Sequence, residues 1–203
     1  MLKNIFYLFF IFLPIAAFSD VCVEYKLHPK ITIKNPEYSK TVMQSHIQMD
    51  KLHGNVMATM VEDYDLGVDI IPVQNGYCVV LKDVYATIGY NDFMVKIDRS
   101  HIIGTCSYDA ILHHEDKHIG AYLSVIEDLK YDIRDSVFNA SDSIMPVFVQ
   151  KNDNIDIVLE DMNEKMQKHP DLILIKQKIN AAQEIRNKRV DQGETGAELK
   201  SCF

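Results

Sequence analysis

The chain has 203 residues, of which 47% are hydrophobic and 25% are charged, and its formal net charge is −8. This composition is typical of a globular protein with enough apolar side chains to form a core. The acidic balance argues against a nucleic-acid partner, because a phosphate backbone is bound by a basic surface.

The first 19 residues have the pattern of a secretory signal peptide. Lys3 gives a short basic start, an apolar run extends from Ile5 to Phe18, and small residues precede a cleavage point after Ser19. The alternative is a membrane anchor, but the run is shorter than the roughly 20 residues that span a bilayer. We therefore expect residues 20–203 to form one secreted or periplasmic domain with no stable membrane insertion.

Four cysteines remain in the mature chain: Cys22, Cys78, Cys106 and Cys202. In an oxidising compartment this even number predicts two disulfides, for which three pairings exist. The cysteines form no C-x-x-C pair, which argues against a cysteine zinc site. We expect Cys78–Cys106, which would join a strand to the start of a helix, and Cys22–Cys202, which would join the two ends of the mature chain.

The first half of the mature chain is predicted to form a small antiparallel sheet. Asn75-Gly76 is a hairpin turn signal between two β-branched runs. A loose helical spacing of apolar residues predicts a helix over Ser39–Leu52. The predicted strands are Val21–Leu27, Ile31–Lys34, Val68–Val73, Tyr77–Leu81, Asp83–Tyr90 and Phe93–Ile97.

The second half is predicted to be helical from residue 104 to the end, so the fold class is α+β, with a sheet-rich part over 20–103. Thr105 or Ser107 can cap the first helix, since either hydroxyl can accept a free backbone N–H. A break is expected at Asn139–Asp142. The predicted helices are Tyr108–Val137, Asp153–His169 and Pro170–Asp191, the last two forming a C-terminal helical hairpin.

The first of these helices carries the pattern H-E-x-x-H at residues 114–118. His114 and His118 are four residues apart, so they share a helix face and can bind one zinc ion. Glu115 falls near the middle of the helix's apolar stripe. A buried carboxylate is costly unless a cation, either a metal ion or a buried arginine, lies beside it. We expect His114 and His118 to be zinc ligands, and Glu115 to be the general base that accepts a proton from water.

A third protein ligand is not evident from the pattern. Ala121 and Ser124 stand where a metzincin would have Gly and His, which excludes that class. Asp132 lies several turns along the same helix, and His101 could approach only through a loop. Acidic residues on later helices remain as candidates, each hard to distinguish from a surface charge: Glu160, Glu164, Glu184 and Asp191. The other histidines lack a motif and are expected to face solvent: His28, His46, His53 and His169.

Residues 104–118, which read G-T-C-S-Y-D-A-I-L-H-H-E-D-K-H, resemble the core of a poorly characterised bacterial family of predicted secreted zinc-dependent proteases. An upstream strand with a cysteine, Gly76–Val80, and an Asp before a short polar tail, Val190-Asp191, are also similar. The resemblance covers most of residues 70–120 and implies a zincin-like peptidase in which His114 and His118 bind zinc and Glu115 is the base. It implies no particular substrate.

The predicted function is therefore exported zinc-dependent hydrolysis of peptide bonds. An edge strand near Tyr85–Ile97 is expected to bind an extended peptide by strand addition. Two alternatives stay open. One is a non-catalytic zinc-binding module. The other is a metal-free, disulfide-stapled interaction protein that docks a partner on Asp153–Asp191, which is favoured if the ring nitrogens of His114 and His118 lie more than about 4.5 Å apart.

Overall fold

The computed structural model describes residues 18–46, 49, 53–144, 146–193 and 202. Residues 1–17, which carry most of the predicted signal peptide, lie outside this part. The described chain begins with a 3-10 helix, Phe18–Tyr25, where a strand over Val21–Leu27 was expected. The expected strand is wrong because the tight helical turn directs Cys22 inward, where it bonds to Cys78.

A five-stranded mixed sheet forms the centre of the fold. Its strands are β1 (Lys30–Lys34), β2 (Ser39–Gln44), β3 (Gly54–Val73), β4 (Gly76–Ile97) and β5 (Val147–Gln150). β3 runs antiparallel to β4 along its whole length. The other edge of β4 is shared by β5, which is antiparallel, and by β1 and β2, which are parallel. The expectation of a small antiparallel sheet is therefore wrong, and the fold is mixed α/β.

The predicted helix over Ser39–Leu52 is also wrong in its described part, because Ser39–Gln44 forms β2. Its residues pair with Asp92–Ile97, and the Ser45 N–H then donates to the Ile97 carbonyl at 2.8 Å. Pairing with a strand some 50 residues away is a tertiary interaction that overrides a weak local pattern. The rest of the predicted helix, residues 47, 48 and 50–52, lies outside the described residues.

β4 is one continuous strand where three shorter ones were predicted. It is paired on both edges, so the predicted peptide-binding edge at Tyr85–Ile97 is wrong. The register with β3 shifts between Thr59 and Met60, which leaves Asn91 as an extra residue in β4. The bulge allows both halves of β4 to bury the same face, with Ile88 inward before it and Phe93 inward after it.

Four α-helices cover this buried face: α1 (Cys106–Asp128), α2 (Lys130–Ser143), α3 (Ile155–Gln167) and α4 (Pro170–Gly193). α1 packs on β4 and β3, α4 packs mainly on α1 and α2, and α3 contacts β3. The side chain of Thr105 caps α1 by accepting the Tyr108 N–H at 3.4 Å, as predicted. The helix predicted over Tyr108–Val137 is interrupted at Leu129, whose ψ is 5°.

The expected break at Asn139–Asp142 is wrong, because these residues continue α2. Ala140 and Ser141 are buried there, and the Ser141 hydroxyl donates to the Val137 carbonyl at 2.8 Å. β5, which lies in the half predicted to be helical, had not been expected. It pairs with the first residues of β4.

Two disulfides are present, as predicted, but their partners differ from those expected: Cys22 bonds to Cys78, and Cys106 bonds to Cys202. Cys78 and Val80 lie on the face of β4 opposite to Val79, packed in a small cluster with Cys22. Cys78 therefore points away from α1. Two structural disulfides are typical of proteins that fold outside the cytoplasm. Among the helices of the described residues, none has the length and apolar character needed to cross a membrane.

Candidate metal centre

α1 and α4 bring together three side chains of types that can bind a metal ion. His114 and His118 lie on successive turns of α1 with their Nε2 atoms 3.2 Å apart. Asp191, near the end of α4, places its Oδ1 atom 3.1 Å from His118 Nε2 and 3.6 Å from His114 Nε2. Within the described part of the chain, these three residues form a group that could bind a metal ion.

The spacing of these atoms fits a zinc ion. Ligands around a tetrahedral zinc, each about 2.0–2.1 Å from the metal, lie about 3.3 Å from one another. The three observed separations are 3.2, 3.1 and 3.6 Å. The two ring nitrogens are also well inside the limit of about 4.5 Å derived for a shared ion. Two nitrogens and one carboxylate oxygen would leave a fourth position for water or substrate.

Asn187, one turn before Asp191, orients the ring of His118. Its Oδ1 atom accepts the Gln183 Nε2–H at 3.0 Å and lies 3.1 Å from His118 Nδ1. An amide oxygen only accepts, so Nδ1 of His118 carries a proton and donates to it. Nε2 lies 3.1 Å from Oδ1 of Asp191, a contact that either a proton on Nε2 or a metal ion between the two atoms would stabilise.

The surroundings of His114 favour its neutral form, which metal binding requires. Its side chain is buried on α1, and this burial lowers the pKa of its ring. The neighbouring His118 lowers it further, while Asp191 acts in the opposite direction. A neutral ring has a lone pair to offer to an ion, so burial prepares His114 as a ligand.

Glu115 is 3% exposed and lies beside the two histidines, in agreement with its place in the predicted apolar stripe. Burial raises the pKa of its carboxyl to about 7; Asp191 and Asp116 add to the shift and His118 opposes it. The arginine alternative is not favoured, because Arg186 donates instead to Asp128 and Ser124. Among the described residues, no ion pair joins an arginine to Glu115.

A cleft of about 560 Å³ opens over the three side chains. Its walls come from the start of β3, from α1 and from α4. Gly54 lies at its base, in contact with the Glu115 carboxylate. The lining residues are His53, Gly54, Asn55, Val56, Ile111, His114, Glu115, His118, Tyr122, Asn187 and Asp191.

The structure brings the predicted residues His114, Glu115 and His118 together and selects Asp191 from the four acidic candidates. Glu184 is exposed on α4 and pairs with Lys188 at 2.6 Å. The other residues that had been considered also lie elsewhere. Glu160 and Glu164 are exposed on α3, Asp132 pairs with Lys178, and His101 contacts His53.

Sequence reasoning missed the β3 side of the cleft, which includes His53 and Gly54, and it missed Asn187 on α4. No local pattern marks the β3 residues, because β3 reaches α1 only in the folded chain. Asn187, in contrast, could have been identified from the sequence. Gln183, Asn187 and Asp191 recur every four residues, which places three polar side chains on one face of α4.

No family model, no curated protein and no solved structure matches this chain. The resemblance of residues 104–118 to secreted zinc proteases therefore stays a prediction.

Proposed function

We propose that this chain is an exported, zincin-like zinc peptidase in which His114, His118 and Asp191 bind the ion and Glu115 is the general base. The observation that carries the proposal is the position of Asp191. A carboxylate from a helix more than 70 residues further along the chain meets both motif histidines, next to a buried glutamate. A chance sequence match would give no reason for a third donor at this point.

The chemistry follows from the positions of these side chains. When bound, zinc acts as a Lewis acid that lowers the pKa of a coordinated water to about 7 and polarises a carbonyl group. Glu115 accepts a proton from the attacking water and passes it to the leaving amine nitrogen. Burial raises the pKa of this carboxyl, which favours uptake of the proton, and the charge of a bound zinc ion would offset part of that shift.

The free edge of β3 supports a peptide as the substrate. The Asp98 N–H donates to the His53 carbonyl at 2.8 Å, so these residues form a hydrogen-bonded pair. In an antiparallel ladder such pairs alternate with open ones, which turns the backbone groups of Gly54 and Val56 away from β4. In the described chain β3 pairs only with β4. An extended peptide can therefore add as a further strand along the cleft.

The predicted signal peptide and the two disulfides support a secreted or periplasmic location. With a net charge of −8, the chain is not expected to bind nucleic acid. After signal cleavage, no stable membrane insertion is expected.

The proposal is tested with the oxidised mature chain, residues 20–203, by elemental analysis for zinc and by hydrolysis of labelled casein. Glu115→Gln should keep one zinc ion per chain and lose at least about 100-fold in rate, because the base is absent. Asp109→Asn, a change at an exposed acidic residue earlier on the same helix, is the control and should retain activity.

If Glu115→Gln hydrolysed casein as fast as the wild type, Glu115 would not be the general base. Zinc in the wild type without hydrolysis of any peptide would favour the non-catalytic zinc-binding module. A wild type that binds no zinc would exclude both the zinc peptidase and the zinc-binding module.

A further inference from the structure

A pair of histidines lies beside the metal centre and is not used by the chemistry above. His53, the residue before β3, lines the cleft. Its Nδ1 atom is 3.0 Å from Nε2 of His101, and the two rings meet edge to face with centroids 5.1 Å apart. His101 is 9% exposed and sits in the turn before α1. An exposed ring in the cleft is thus supported by a buried ring behind it.

His101 is fixed by its surroundings. Its backbone N–H donates to the Asp98 carbonyl at 3.1 Å, and its carbonyl accepts the Gln44 side-chain amide at 2.7 Å. Burial lowers the pKa of the ring, His53 adds to this effect, and the charge of Asp98 opposes it. These surroundings favour the neutral ring, which carries one N–H. A fixed, buried ring can hold His53 in one orientation.

The contact with His101 determines which atom of His53 remains for a ligand. Nδ1 is engaged, so Nε2 is the ring nitrogen of His53 that remains for a ligand. A neutral imidazole has one N–H; when His101 donates from Nε2, His53 must carry its proton on its own Nε2. His53 then presents a hydrogen-bond donor.

The backbone that carries this ring is close to the proposed general base. Gly54 contacts the Glu115 carboxylate, and consecutive Cα atoms are about 3.8 Å apart. The backbone of His53 therefore lies within about 8 Å of that carboxylate. A peptide paired with the free edge of β3 would lie along the same cleft.

Building on the proposed function, we propose that His53 is a further catalytic residue, which donates a hydrogen bond from Nε2 to the carbonyl oxygen of the peptide bond being cleaved. Negative charge develops on this oxygen in the transition state, where a fixed donor has its largest effect. His101 is a positioning residue that holds the ring of His53.

The test compares His53→Phe, which keeps a ring but removes its N–H, with His53→Gln, which retains a side-chain N–H. His113→Gln, a change at an exposed histidine of the same motif helix, is the matched control. Each protein is assayed for zinc content, for kcat and KM on a peptide taken from a casein cleavage site, and for affinity towards the phosphinic analogue of that peptide, a mimic of the tetrahedral transition state.

We expect His53→Phe to keep its zinc, to lose about 100-fold in kcat with KM changed only a few-fold, and to lose a similar factor in affinity for the phosphinic peptide. His53→Gln should recover part of both losses, and His113→Gln should behave like the wild type. His101→Phe should lower kcat by a smaller factor at unchanged zinc content.

A kcat within about three-fold of the wild type in His53→Phe would overturn the role of His53 and leave the peptidase proposal intact. Loss of zinc together with activity in His53→Phe would also overturn it, because the pair would then be structural. A wild type that binds zinc but cleaves no peptide would refute the peptidase itself, and this role with it.

Discussion

Gly54 and Glu115 are in direct contact, with no space for a side chain between the start of β3 and the carboxylate on α1. A Cβ atom on Gly54 would collide with Oε1 of Glu115 and would lie 2.8 Å from Cγ2 of Ile111. The missing side chain is what lets the free strand edge approach the proposed general base. Gly54 therefore sets both the depth at which Glu115 is buried and the distance from the edge to the metal centre.

Gly54→Ala should lower hydrolysis while zinc remains bound, because the added methyl group must displace the Glu115 carboxyl or the strand. The crowding should also lower the free energy of unfolding by about 1–3 kcal/mol. Urea unfolding and casein hydrolysis measure the two effects.

Gly120→Ala on α1 is the control. Its Cβ meets nothing within 4 Å, and alanine should raise helix stability by about 0.5–1 kcal/mol. Full activity in Gly54→Ala would show that the close contact is dispensable.

The helical part of the site could be predicted because its signal is local. The spacing along one helix placed Glu115 inward and His114 and His118 on one face, and the structure has the same arrangement. α3 and α4 were predicted to within two or three residues, because Pro170 marks the start of α4 clearly.

The remaining features depend on contacts between distant segments. β2 was mistaken for a helix because its parallel pairing with β4 leaves no local pattern. The cysteine partners depend on which face of β4 Cys78 occupies, which a count of cysteines cannot give. Asp191 was indistinguishable from Glu184 in sequence, and only the packing of α4 on α1 separates them.

Asp191→Ala should weaken zinc binding by at least about 100-fold, more than the 10–100-fold typical for loss of a residue that only supports a ligand. Glu184→Ala, at an exposed position two turns earlier on α4, should leave the affinity unchanged. Competition with a chromogenic chelator gives both dissociation constants. Equal affinities for the two variants would exclude Asp191 as the third ligand.

The two disulfides should differ in their effect on the metal. Replacing either pair by serine should cost about 2–5 kcal/mol in the free energy of unfolding. Only loss of Cys106–Cys202 should also weaken zinc binding, because this bond joins the start of α1 to the chain beyond α4, and these two helices carry the proposed ligands. The matched variant is Cys22→Ser with Cys78→Ser, at the other end of β4. If both variants lost zinc affinity equally, the effect would be one of general stability.

Asp98 should make the fold sensitive to acid. It is 2% exposed, and the Met49 N–H, followed by the hydroxyl and N–H of Ser100, lowers the pKa of its carboxyl from the ordinary value of 3.8 to about 2. The anion therefore stabilises the folded state fully above about pH 4, and this contribution is lost as the pH falls through about 2. Asp98→Asn should be less stable than the wild type at neutral pH and should lose less of its stability between pH 4 and 2. Urea unfolding across this pH range measures the difference, and Asp65→Asn, a change at an exposed aspartate, is the control. If the free energy of unfolding fell equally with pH in Asp98→Asn and the wild type, Asp98 would not cause the acid sensitivity.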